Sequence, residues 1–207
     1  MSVQIIENYV SIEKADLLVN GLKNKLLPEP RKGMSAALGQ DNSFKASQVS
    51  EDSPATFLGD DEYENEAILF ASKVVNDIRK EMEKHYGLEL DLANMNFAKM
   101  EVGGSNPLHS DSTKLDGSPW RDDGVPEEIE YSALLYASDY ETDFLGGEIT
   151  FPQHELTIFP KKGMLVFFKG DEKHLHEVAP VTSGARHTLV LFYSKKGNIS
   201  KDAFFTN

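Results

Sequence analysis

From Asn94 onward the chain is a succession of short β-type runs, and this most limits what it can fold into. The runs 96–102, 131–137, 147–151, 155–159, 163–168, 174–180 and 186–193 are separated by residues that favour turns. Many short strands at such spacing predict a sandwich or barrel. Two helical segments come first and are expected to pack outside it. Residues 3–10 read as a short entry strand. Ser11 is then a good N-cap with Glu13 in the first turn, and Ile12, Ala15, Val19, Leu22 and Leu26 keep helical spacing until Pro28 and Pro30 end the helix. Residues 63–86 form the clearer helix, with Ile68, Val75, Ile78 and Met82 as its apolar stripe and Gly87 as its stop. His85, in its last turn, reads as a surface residue. Between the helices, 31–62 is a polar excursion with one strand expected around 43–49.

Composition narrows the chemistry. The chain has 207 residues and suits one domain, expected over 1–207, with 1–93 as helical lead-in and support and 94–195 as the β core. Its 34 acidic against 21 basic residues give a net charge of −13. That argues against a nucleic-acid backbone or an anionic membrane as partner. With no cysteine there is no disulfide and no thiolate ligand, so a metal would need His and carboxylate. The first residues lack the basic start and apolar core of a signal peptide, and no apolar run approaches the ~18 residues of a membrane span. A cytoplasmic, soluble protein is expected.

Chemistry-bearing residues gather at two places. His109-Ser-Asp111 puts an imidazole and a carboxylate on one face of an extended backbone. The stretch from His174 to Tyr193 reads as a strand, with His174 and His176 on one face, a turn at Ser183-Gly184 and a returning strand, so that a histidine and Arg186 can line one cavity; taken alone it reads as an ordinary hairpin with a surface arginine and a solvated histidine. Alone, His109-x-Asp111 is a common chance pattern. With one distal histidine it becomes a set that can hold one face of an octahedral Fe(II) and leave three positions open. A guanidinium fork ten residues after that histidine suits a carboxylate anchor, and Thr188 shares its strand face. His154 and His187 read as a turn residue and a residue on the face opposite Arg186. Trp120 and Arg121, in the polar loop 112–130, serve equally as a lid or a loop anchor.

The order of these pieces resembles the Fe(II)- and 2-oxoglutarate-dependent dioxygenases, in their prolyl 4-hydroxylase-like branch. The similar text spans about 95–195: Gly103 with His109-x-Asp111, Tyr-Ser-Ala-Leu-Leu-Tyr136, Gly146-Gly-Glu-Ile-Thr-Phe-Pro152, Pro160-Lys-Lys-Gly-Met-Leu-Val-Phe-Phe168, and His176-Glu-Val-x-Pro-Val-Thr-Ser-Gly-x-Arg186. It implies a double-stranded β-helix (jelly-roll) core, mainly β within an α+β chain. It implies Fe(II) on His109, Asp111 and His176, and 2-oxoglutarate chelating the metal with its far carboxylate on Arg186. Tyr136 and Thr188 fall where relatives contact that carboxylate. The ten-residue gap to Arg186 selects His176 over His174. Collagen-type relatives carry Lys at the Arg186 position, and many relatives carry Tyr where this chain has Met100.

The implied reaction uses O2, releases succinate and CO2 and hydroxylates a C–H bond, with ascorbate a further cofactor to test. The expected activity is prolyl 4-hydroxylation in a proline-containing peptide or protein, basic or neutral given the acidic surface. A free amino acid or other small molecule is the alternative substrate. A cupin-like metal or ligand binder without oxygenase activity is the other reading, and Arg186 stands against it. A dead scaffolding relative would be free to lose a ligand, which this chain has not.

Overall fold

The computed structural model describes residues 3–22, 41–46, 66–118 and 129–198. Most of the 31–62 excursion, the expected end of the first helix with Pro28 and Pro30, and the Trp120–Arg121 segment lie outside them. Two antiparallel sheets face each other, with two helices on the outer face of the larger. The larger sheet runs β1 (Gln4–Ile6), β9 (Leu165–Lys169), β5 (Tyr131–Tyr136), β11 (Val181–Lys195), β3 (Leu90–Glu101) and β2 (Asp41–Ala46), with β6 (Phe144–Gly146) paired to the start of β11. The smaller sheet runs β4 (Asn106–His109), β10 (His176–Val178), β7 (Ile149–Phe151) and β8 (Leu156–Ile158). This is the expected jelly roll.

Strand alternation explains why the middle strands read as near-continuous apolar runs: both faces of the larger sheet are covered. On β5, Ala133 and Leu135 face the helices, while Leu134 and Tyr136 face the smaller sheet. On β9, Leu165 and Phe167 face outward to the helices, Val166 and Phe168 inward. On β11, Leu189, Leu191 and Tyr193 pack under the helices, which leaves Arg186 and Thr188 on the inner face.

The helices form where the spacing places them. α1 (Ile12–Leu22) starts at Ser11, whose Oγ accepts from Lys14 N at 3.3 Å. Its buried residues are Ala15 and Leu18, whereas Ile12, expected in the stripe, is 61% exposed. At the first helical position a side chain points back past the helix end, so the spacing overcounted it. α2 (Glu66–Tyr86) buries Val75, Ile78 and Met82, ends at Gly87 and leaves His85 exposed.

The hairpin expected over 174–193 does not exist. β10 and β11 lie in opposite sheets: β10 pairs with β4 and β7, β11 with β3, β5 and β6. The break falls at Ala179-Pro180, where proline can donate no ladder hydrogen bond. Ser183-Gly184 is instead an irregularity inside one long strand. Gly184 has φ +70°, and a Cβ there would sit 2.0 Å from the Asp143 carbonyl oxygen of the adjoining segment. Other differences are smaller. β3 begins at Leu90, before the expected 96. β4 and β6 were not expected, the first because Pro107 disguises an edge strand and the second because it is only three residues long.

Gly184→Ala combines left-handed strain with a backbone clash, so it is predicted to destabilise the fold by more than about 2 kcal/mol. A denaturant midpoint equal to the parent's would contradict this role for the bend.

Candidate active site

His109, Asp111 and His176 come together at one end of the two sheets. His109 ends β4 and pairs directly with His176, the first residue of β10. Their ring centroids are 4.3 Å apart. Asp111 follows in the bend after β4, with its Oδ1 3.7 Å from His109 Nε2 and its Oδ2 3.8 Å from His176 Nε2. One ligand-capable atom from each residue lies within 4.8 Å of the other two.

Backbone carbonyls set the tautomers. His109 Nδ1 lies 2.7 Å from the Pro107 oxygen, and His176 Nδ1 lies 3.0 Å from the His174 oxygen. A carbonyl only accepts, so each neutral ring donates from Nδ1 and keeps the Nε2 lone pair for the shared centre. Burial, foremost, holds His176 below the ordinary imidazole range; His109 and Arg186 push the same way and Asp111 opposes them. The ring therefore remains neutral, the form that binds a metal. Phe151 and Phe168 wall it at 5.4 and 4.9 Å between ring centroids.

Arg186 enters the same interior from the opposite sheet. It is 5% exposed, and no carboxylate among the described residues pairs with it. Its Nη2 donates to Tyr136 Oη at 3.4 Å, and its Cζ lies 5.1 Å from the centre of that ring. Its Nε finds no partner among the described residues, and neither does Thr188 Oγ1. Thr188 is the cross-strand partner of Tyr136, and Met100 is that of Arg186. Burial keeps the Tyr136 phenol protonated against the pull of Arg186. Gly147 allows the guanidinium arm its path, since a Cβ there would stand 3.3 Å from Arg186 Cδ. An unpartnered buried polar group costs about 1–3 kcal/mol, and more when charged. Against a domain stability of roughly 5–15 kcal/mol, that cost points to an anion as the missing partner.

The remaining histidines are not in the cluster. His174 is not on the strand with His176, as expected, but in a 3-10 turn at Glu172–His174. Its Nδ1 bonds Asp171 Oδ1 at 2.6 Å and its ring stacks on His154 at 5.0 Å. His187 faces the helix side, near Phe97. Ser132 went unnoticed in the sequence, although it shares a strand face with Leu134 and Tyr136. Its hydroxyl donates to Asp111 Oδ2 at 2.5 Å.

Residues 95–194 match the family described as the 2OG-Fe(II) oxygenase superfamily. This stretch belongs to that superfamily. The chain is 37% identical over 98 residues to mouse prolyl 3-hydroxylase 3, covering 44% of this chain but only 13% of that protein. It shares its fold with the viral collagen prolyl hydroxylase of Paramecium bursaria Chlorella virus-1, solved with 2OG, at a TM-score of 0.63 and 20% identity over 94% of this chain and 97% of that one. The fold is also that of a Trichoplax adhaerens prolyl hydroxylase solved with a peptide fragment of the hypoxia inducible factor oxygen degradation domain, at a TM-score of 0.67 and 17% identity over 95% and 84%. Among the described residues no helix is long and apolar enough to cross a membrane.

A cluster that holds a divalent ion must be stabilised by it. A hundredfold excess of such an ion over its dissociation constant is predicted to add about 2.7 kcal/mol to the unfolding free energy. Thermal unfolding with and without Mn(II) measures this, and His176→Ala should abolish the gain. An equal gain in the variant would place the ion elsewhere.

Proposed function

We propose that this chain is an Fe(II)- and 2-oxoglutarate-dependent dioxygenase that hydroxylates prolyl residues in a peptide or protein. One observation carries the reading: two tautomer-locked imidazoles and a carboxylate face a buried arginine with no acidic partner among the described residues. The donor set fits Fe(II), because nitrogen and oxygen ligands on one side leave positions for a co-substrate and O2. The arginine fits the far carboxylate of 2-oxoglutarate. Bound together, the metal and co-substrate would supply the oxidising chemistry, with 2-oxoglutarate leaving as succinate and CO2 and one oxygen atom of O2 entering the substrate C–H bond.

The chain's own part is binding and positioning. His109, Asp111 and His176 are the proposed metal ligands. Arg186 would orient the co-substrate through its fork, with Tyr136 Oη fixing one guanidinium nitrogen and Thr188 Oγ1 offering a hydroxyl. A divalent metal, Asp111, a doubly charged co-substrate and Arg186 have formal charges that cancel, which favours burying them together. Phe151 and Phe168 keep water from the His176 side. Residues 1–93 would buttress the catalytic core of 94–195 within a single domain.

The peptide substrate is supported by the prolyl hydroxylase names of the relatives and by the acidic composition, which suits a basic or neutral polypeptide. The expected C4 product and the C3 name of the mouse relative differ, so the ring carbon is to be read from the product. Succinate release should be measured with proline-containing peptides and with free proline, each with and without ascorbate, followed by amino-acid analysis of the peptide. Peptide-dependent release with hydroxyproline formed supports the reading, and release driven only by free amino acids overturns the substrate assignment. Arg186→Ala is predicted to weaken 2-oxoglutarate binding at least tenfold while Fe(II) affinity stays within a few-fold, on the scale of a lost charge-assisted bond. Equal loss of both would contradict its role.

A further inference from the structure

The Asp111 carboxylate approaches the two imidazoles almost symmetrically, one oxygen toward each, at 3.7 and 3.8 Å. A carboxylate so placed can give a metal one oxygen or both. The difference matters, because three ligands on one side of an octahedral ion leave three positions, and a second carboxylate oxygen would take one of them. The chain breaks the symmetry from the opposite sheet. Ser132, on β5 and fully buried, donates its hydroxyl to Oδ2 at 2.5 Å. A bond of that length to a charged acceptor belongs to the strong class.

A second tether works beside it. Ser112 donates to the Gly170 carbonyl oxygen through both its backbone nitrogen, at 2.9 Å, and its Oγ, at 2.7 Å. Gly170 follows β9, so the residue after Asp111 is tied to the larger sheet as well. Gly170 also leaves the space the pair needs. A Cβ there would stand 3.3 Å from Asp111 Cβ and 3.5 Å from Ser132 Oγ. Serine, carboxylate and glycine thus form one packed unit linking the two sheets at the metal end.

We infer that Ser132 is a positioning residue that commits Oδ2 of Asp111 to the protein, so that the carboxylate offers a bound metal Oδ1 alone. This rests on the proposed Fe(II)/2-oxoglutarate reading. Its consequence is that the position spared by Ser132 is the one the chelating co-substrate needs. Loss of the hydroxyl should therefore weaken 2-oxoglutarate more than it weakens the metal.

Calorimetric titration of 2-oxoglutarate into Mn(II)-saturated protein tests this. Ser132→Ala is predicted to bind the co-substrate about tenfold more weakly, at the lower end of effects for groups that orient a ligand. Ser132→Thr, which keeps the hydroxyl, should restore the parent affinity. Gly170→Ala, which keeps the serine but crowds the pair, should shift the affinity in the same direction and carries the test if Ser132→Ala does not fold. Unchanged co-substrate affinity at saturating metal would overturn the inference, even if metal affinity alone fell. Visible spectra of the Co(II)-loaded proteins without co-substrate separate this from the functional reading. If the parent binds metal but not 2-oxoglutarate, the functional reading fails. A Co(II) spectrum altered by Ser132→Ala still supports the tether, and identical spectra overturn it.

Discussion

The structure depends on one constraint, the period of two along β11. Its outward residues Leu189, Leu191 and Tyr193 are fully buried beneath the two helices. Full burial of such side chains contributes roughly 1.5–3 kcal/mol each, so the register cannot slip without exposing them all. Residues of the alternate register must then face the smaller sheet, and Arg186 and Thr188 fall in that register. The hydrophobic contacts under the helices hold the guanidinium in the interior, although its own burial is unfavourable. A bond from Tyr193 Oη to the Val75 carbonyl of α2, at 3.0 Å, pins the same strand from its far end.

The two halves of the site come from different sheets, so its dimensions are set by sheet-on-sheet packing. His109 and His176 ride on the smaller sheet as direct partners; Arg186, Tyr136, Thr188 and Ser132 ride on the larger. Between them lies a mostly aromatic and aliphatic layer of Phe151, Phe168, Ile149 and Val178. A low-polarity layer strengthens every charge interaction within it, so a dianionic co-substrate between a metal and Arg186 would be held far more tightly than in water. The two Nδ1–carbonyl bonds keep both imidazoles ready for that arrangement.

Much of this was legible in the sequence. Strand-face spacing, a local property, drew attention to His109, Asp111 and Arg186 but left His174 and His176 equal; the resemblance singled out His176, and the structure brings it together with His109 and Asp111. The β-sheet content, both helices and the Gly87 stop were legible from local spacing too. Which sheet a strand joins is a non-local choice, and there the sequence misled. Ser183-Gly184 between apolar runs has the composition of a hairpin turn, while the decisive break, Pro180, sat inside the run assumed to be continuous. His176 and Arg186 are both buried, on strands of opposite sheets and near enough for the guanidinium charge to act on the imidazole; they are not neighbours in a hairpin. His174 was misplaced by the same assumption, and Ser132 was hidden because a serine in an apolar strand looks like tolerated polarity until its partner is known.

The most direct test is optical. Fe(II) and 2-oxoglutarate would be added to metal-free protein under strict exclusion of oxygen, with Asp111→Ala treated identically. A visible charge-transfer band that develops in the parent and is missing from the variant is the predicted result, since the band requires the co-substrate to chelate a metal held by this cluster. Tight Fe(II) binding by the parent without any such band would contradict the account and leave a jelly roll that holds a metal for some other purpose.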